Sequence, residues 1–149
     1  MDPISVEEVT DTAELRECYP VMKQLRPVDK ETFDETIDQM KTEADYQLFA
    51  MRDENKTLLG IAGIVVQTNL YHGKHAWVHD LVIDEQHRGN GYGGRFLSWI
   101  ESWADDRDCS CVELASGLWR DDAHRFYEDN GMEKYCYTFK IDLSTDSLY

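Results

Sequence analysis

Residues 82–94 read VIDEQHRGNGYGG: the end of an apolar run, a polar link closing on an arginine, then four glycines within six positions. An amphipathic segment follows at once, with Phe96, Ile100 and Trp103 at helical spacing. Glycine frees the backbone and removes the side chain that would hold a ligand away, at an entropic cost. Four of them at the mouth of a helix point to a main-chain surface built to touch something. Any fold for this chain has to place a strand, this loop and that helix in succession.

The rest of the chain supplies elements around that unit. Residues 4–9 alternate as a short strand, and Thr10 or Asp11 caps a helix reaching about Arg26, with Leu15, Cys18, Met22 and Leu25 on one face. Pro27 ends it. A second helix covers about 30–44 with Phe33, Ile37, Met40 and Ala44 as its inner stripe. Strands are expected at 46–53, 58–70 and 76–83; the β-branched run of the second suits a sheet covered on both faces. A helix over 91–106 and a strand over 110–116 follow, so that 76–116 forms a right-handed βαβ unit. An acid-capped helix at 121–131, stopped by Asn130-Gly131, and an alternating strand at 133–143 close the order β-α-α-β-β-β-α-β-α-β. Helices on a mixed sheet define an α/β class within one domain, 1–149.

Charge narrows the partners. Fifteen lysines and arginines stand against thirty acids, a formal net charge of -15. That opposes a nucleic-acid backbone. The acids are spread along the chain, which favours a solvated acidic surface, an adaptation suited to high salt, over an acidic groove for cationic substrates. No apolar run approaches the ~20 residues of a membrane span, and the acidic N-terminus lacks a signal-peptide core. A cytoplasmic protein is expected. The four cysteines form no CxxC pair, and reduced, mostly buried thiols are expected. His72, His75 and His79 have a spacing that suits a metal, but no carboxylate or thiolate falls at a matching distance in sequence, so no metal is assigned.

Three readings compete for the glycine stretch. Gly89-x-Gly91-x-x-Gly94 satisfies a dinucleotide fingerprint, but that site needs its first glycine directly at the strand end, and residues 84–88 intervene. A phosphate-binding P-loop fails for want of GK[ST]. The third reading is Arg88-x-x-Gly91-x-Gly93, a run of exposed amides opening a helix, which makes an anion cradle suited to a pyrophosphate.

Strand LVID followed by EQHRGNGYGGRFL resembles the acetyl-CoA-binding motif of the GNAT superfamily of N-acetyltransferases, whose form is Arg/Gln-x-x-Gly-x-Gly/Ala. AHRFYEDNGM (123–132) resembles the family's later helix, and the expected element order matches the family fold along nearly all of the chain. The resemblance implies a GNAT fold with six to seven strands and about four helices, acetyl-CoA as cosubstrate and a primary amine, on a small molecule or a protein, as acceptor. It implies that Leu81, Val82 and Ile83 pair with the pantetheine arm, and that the amides of Arg88, Gly89, Asn90, Gly91, Tyr92, Gly93 and Gly94 hold the pyrophosphate. Tyr127 matches the family's tyrosine and becomes the candidate acid for the leaving thiolate. His79 and Asp80 are candidate bases on the central strand, where neighbours face opposite ways unless a bulge intervenes. The glutamate that some members use falls at Ala115 here, which cannot act. Arg120 is a candidate for a cofactor phosphate or an acceptor carboxylate; Trp119, His124, Tyr71, His72, Phe33 and Tyr46 are candidates for the acceptor side. A homodimer is compatible with the resemblance. The rival function is an acyl-CoA-binding module of the same fold without turnover.

Overall fold

The structure is a computed structural model that describes residues 2–143. It contains β1 (Ile4–Glu8), α1 (Thr12–Leu25), α2 (Lys30–Ala44), β2 (Gln47–Asp53), β3 (Leu58–Asn69), β4 (Gly73–Ile83), α3 (Tyr92–Asp105), β5 (Val112–Leu114) and α4 (Asp121–Asp129), with one 3₁₀ turn over Glu85–His87. The chain divides into two compact units, Met1–Glu113 and Leu114–Tyr149.

The strands form a single five-stranded mixed sheet in the order β1-β2-β3-β4-β5. The first four are antiparallel neighbours. Ser110 N–H donates to Lys74 O at 2.7 Å, and Ala76 N–H to Cys111 O at 3.0 Å, which ties β5 to the first half of β4.

Successive residues of β2 face opposite ways, and each face meets helices. Leu48 and Ala50 join a core cluster with Cys18, Val21 and Met22 of α1 and Phe33 and Ile37 of α2. Phe49 faces α3, its ring 5.0 Å from Trp99 and 5.4 Å from Trp103. Covering both sides of the sheet explains why residues 58–65 of β3 are buried without alternation. Each fully buried side chain of this size contributes about 1.5–3 kcal/mol.

Asp11 caps α1 by accepting from Glu14 N–H at 2.7 Å, and Asp29 caps α2 by accepting from Thr32 N–H at 2.7 Å. Arg52 of β2 reaches Glu17 at 2.7 Å and Glu14 at 3.2 Å, and so holds α1 on the sheet. That matters because the C-terminal end of α1 carries Gln24, which binds the loop after β4, and Arg26, which binds β4 itself.

The structure corrects several expectations. The sheet has five strands rather than six or seven, because residues 133–143 form no strand. Tyr137, Phe139, Ile141 and Leu143 alternate as a strand should, yet all are exposed. Alternation fixes which side chains share a face; it does not supply a partner edge, and β5 extends over only three residues. The expected acid cap of α4 is instead Arg120, which makes no side-chain capping bond; Asp121 and Asp122 lie in the first turn. Ala44 is exposed at the end of α2. Of the four cysteines only Cys18 is buried, its thiol pushed up to about 12 chiefly by burial; Cys109 and Cys111 are half-buried and Cys136 is exposed. Residues beyond 143 lie outside the described residues. No helix among the described residues is long and apolar enough to cross a membrane.

Candidate active site

The glycine loop has the geometry of an anion cradle. Asp84 ends the strand by accepting from Gln86 N–H at 3.2 Å, which starts the 3₁₀ turn. Gly89 (φ 82°) and Gly91 (φ 78°) adopt left-handed backbone that other residues enter at a cost. A Cβ at either would meet no atom within 4 Å, so conformation and open space, rather than contact with the chain itself, require glycine there. Gly91 is the N-terminal cap of α3 and offers no side chain to its amides. The first N–H groups of a helix have no intrahelical partner, and here they belong to Tyr92, Gly93 and Gly94. With the helix dipole they favour an anion. The residues present fit a pyrophosphate.

Side chains hold the loop in place. Arg88 Nε donates to Ile83 O at 3.0 Å, and its Nη2 approaches Gln24 Oε1 at 3.4 Å. Gln24 also accepts from Glu85 N–H at 2.9 Å and donates to Asp84 at 3.2 Å, so α1 carries the loop's underside. Asn90 Nδ2 donates to His87 O at 3.1 Å.

The strand before the loop is bulged at His79. Gly63 of β3 faces Asp80 and Ile64 faces Val78, which leaves His79 as the additional residue on β4. Bulges re-aim side chains, which removes the strict opposition of neighbours expected from strand period. Asp80 is buried, 8% exposed, with both oxygens engaged: Arg26 Nε donates to Oδ1 at 3.0 Å and Tyr46 Oη to Oδ2 at 2.7 Å. Burial first, then the Asp80 charge, raises the Tyr46 phenol well above its ordinary range. The Tyr46 ring lies against Gly63, where a Cβ would overlap its hydroxyl. Arg26 Nη2 also donates to His79 O at 2.7 Å and so pins the bulge.

His79 is half-buried, with the rings of Tyr46 and Trp77 at 6.1 and 6.3 Å. Burial lowers its pKa below the ordinary 6.5; Asp80 opposes that shift and Arg26 reinforces it. A half-exposed imidazole without its proton at neutral pH is chemically a base.

Leu81, Val82 and Ile83 complete β4 against Ala62, Ile61 and Gly60. Gly60 lets that end close tightly, since a Cβ there would sit 2.7 Å from Ile83 Cδ1 and 2.8 Å from Val82 O.

In the second unit, Tyr127 is half-buried on α4, its ring 5.4 Å from that of Phe126. Gly131 (φ 91°) ends this helix, and Met132 N–H donates to Tyr127 O at 3.0 Å. Arg120 is 3.5 Å from Ser116 Oγ, and His124 Nε2–H donates to Gly117 O at 2.8 Å. Trp119 is exposed, with its ring over Gly117.

Sequence reasoning missed Arg26 entirely and gave Tyr46 only a peripheral role. It also found no acid or thiol to accompany the histidines. The fold brings Cys111 and Glu113 to His72, their donor atoms within 4.8 Å of one another. His75 is fully buried and its ring is used within the protein: Nδ1–H donates to Gly73 O at 2.9 Å and Gln67 Nε2 lies 3.2 Å from Nε2.

The bulged strand, the glycine-rich loop and the α3 N-terminus without a side-chain cap together make a main-chain surface suited to an anionic ligand. The sequence profile of the acetyltransferase (GNAT) family matches residues 12–132, and the chain belongs to that family. It is 35% identical over 127 residues to an uncharacterized N-acetyltransferase, YhdJ, of Bacillus subtilis, covering 85% of this chain and 89% of that protein. It is 28% identical over 120 residues to an aminoalkylphosphonate N-acetyltransferase of Salmonella typhimurium, covering 67% of this chain and 75% of that one. The fold matches a GNAT family acetyltransferase of Staphylococcus aureus with a TM-score of 0.76 at 20% identity, over 96% of this chain and all of the other. The chain is an acetyltransferase of a family whose members generally use acetyl-CoA and an amine acceptor.

Proposed function

We propose that this enzyme transfers an acetyl group from acetyl-CoA to the primary amine of a small molecule by direct attack within a ternary complex. The carrying observation is the glycine loop: Gly89 and Gly91 in left-handed backbone, followed by an α3 N-terminus without a side-chain cap. That loop fits the diphosphate of coenzyme A, and Leu81, Val82 and Ile83 fit its pantetheine arm as an added strand. The printed substrate of the Salmonella relative, an aminoalkylphosphonate, supports a small amine as acceptor.

His79 takes the proton of the ammonium acceptor. The freed amine attacks the thioester carbonyl, and the oxyanion is met by a backbone amide at or beside Val82. The C–S bond then breaks, Tyr127 protonates the departing thiolate, and the proton shed by the new amide nitrogen restores the phenol. His79 suits the first role better than Asp80, because both Asp80 oxygens are already bound while the His79 pKa is lowered. Asp80 instead holds the bulge that presents His79. Arg120 is assigned to an anionic group, on either substrate.

The test is thiol release from acetyl-CoA with a panel of amines that includes aminoalkylphosphonates, with the acetylated product weighed by mass spectrometry. Turnover with free thiol and acetylated amine in equal amounts is expected. Tight coenzyme A binding with no turnover on any amine would instead establish a binding module.

A further inference from the structure

The His72, Cys111 and Glu113 cluster stands apart from the acetyl-transfer chemistry. His72 lies in the turn between β3 and β4, seven positions before His79, which along an extended strand is at most about 23 Å at ~3.3 Å per residue. Cys111 directly precedes β5 and Glu113 is its middle residue, a two-residue spacing that in extended backbone puts both side chains on one face. The three donor atoms lie within 4.8 Å of one another, and all three residues are half-buried. His72 Nε2 is 2.6 Å from Glu113 Oε2, a buried oxygen that accepts no hydrogen bond of regular geometry.

The backbone holds these residues in place independently of their side chains. His72 N–H donates to Asn69 Oδ1 at 2.9 Å, and Ser110 Oγ donates to His72 O. Ser110 and Cys111 are themselves fixed to Lys74 and Ala76 by main-chain bonds. The neighbouring His75, 5.5 Å away ring to ring, already has partners at both nitrogens and does not compete.

We propose that His72, Cys111 and Glu113 form a binding site for one zinc-like divalent transition-metal ion, which staples the β3–β4 turn to β5. One imidazole, one thiolate and one carboxylate are a donor set suited to Zn²⁺ and unsuited to Mg²⁺ or Ca²⁺, which prefer oxygen alone. In tetrahedral geometry, with bonds of about 2.0 Å to N and O and 2.3 Å to S, donor atoms stand roughly 3.3–3.5 Å apart. Reaching that spacing needs a small opening of the 2.6 Å His72–Glu113 contact and a closing of the wider pairs, which start no more than 4.8 Å apart. Three protein ligands leave the fourth position to water.

The experiment is equilibrium dialysis of tag-free, chelator-treated protein against Zn²⁺, followed by metal analysis, with Co²⁺ substituted in parallel as a spectroscopic probe. One equivalent of Zn²⁺ is expected, with a thiolate-to-cobalt charge-transfer band in the Co²⁺ form. Cys111→Ser abolishes that band, and Glu113→Gln weakens binding at least about tenfold; the double variant Cys109→Ser/Cys136→Ser keeps both band and stoichiometry. Absence of stoichiometric Zn²⁺, or a Co²⁺ form of the unsubstituted protein without the thiolate band, would overturn the site and leave a plain His72–Glu113 ion pair. The Co²⁺ arm needs no variant, so a misfolded substitution does not shield the proposal.

Discussion

Arg26, the residue that caps the first helix, donates to Asp80 at 3.0 Å and to the carbonyl of His79 at 2.7 Å, although the chain separates it from Asp80 by 54 positions. One guanidinium thus neutralises a buried carboxylate and fixes the strand bulge beside it. Its side chain is 48% exposed, so solvent screens part of the attraction. Arg26→Met leaves Asp80 with Tyr46 alone. Urea denaturation should show a loss of about 1–3 kcal/mol, the usual effect of stranding a buried hydrogen-bonded group. Unchanged stability would mean that Asp80 does not depend on Arg26.

Gly63 tests the same network from behind. A methyl group there would overlap the Tyr46 hydroxyl. Gly63→Ala should cost about 1–3 kcal/mol by overpacking and push Tyr46 away from Asp80. Pairing it with Tyr46→Phe, which removes the hydroxyl, should give a combined loss smaller than the sum of the two. Strict additivity would deny that the glycine exists to admit that ring.

The acidic limb of kcat/KM should report His79. Its pKa lies below 6.5, so activity is already near its plateau at neutral pH and falls only as the pH drops through the lowered value. Asp80 raises that pKa, so Asp80→Asn should move the limb further to acid. His79→Ala should lower kcat by about 10²-fold and erase the limb. The sign for stability follows from the same shift. A histidine that is harder to protonate when folded contributes stability above pH 6.5, which is lost as pH falls from there toward the folded value. A wild-type pH profile in His79→Ala would remove the residue from the reaction.

Tyr127→Phe removes the proposed acid while keeping the ring. A fall of about 10²-fold in kcat with little change in KM for acetyl-CoA is expected. Rapid-quench kinetics with activated acetyl thioesters would check the role, because the defect should shrink with donors whose thiolates leave without a proton and persist at full size if Tyr127 is only structural.

How much of this was legible in the chain follows from the range of each interaction. The cap at Asp11, the apolar stripes of α1 to α3 and the unbroken apolar run of β3 are local signals, and the elements lie where those signals put them. The glycine loop was readable because four glycines, an arginine and a helix start are contiguous. Arg26 carried no signal: an arginine before a proline reads as a helix end, and its partner is reached only through the tertiary fold. The bulge at His79 is set by the register between β3 and β4, which period-two alternation within one strand does not contain. Cys111 and Glu113 meet His72 for the same reason, through the pairing of the β5 segment with the start of β4. Residues 133–143 failed in the other direction: the strand pattern is present, and the ladder is not.

The central claim is that backbone amides of the loop from Arg88 to Gly94 hold the diphosphate of coenzyme A, and calorimetric titration with coenzyme A tests it most directly. A side chain at Gly91 must enter left-handed backbone at φ 78°, at a cost of roughly 1–2 kcal/mol. Saturable one-to-one binding to the unsubstituted enzyme is expected, with at least about tenfold weaker binding to a folded Gly91→Val variant. No heat of binding to well-folded enzyme, or equal affinity in the two proteins, would contradict it.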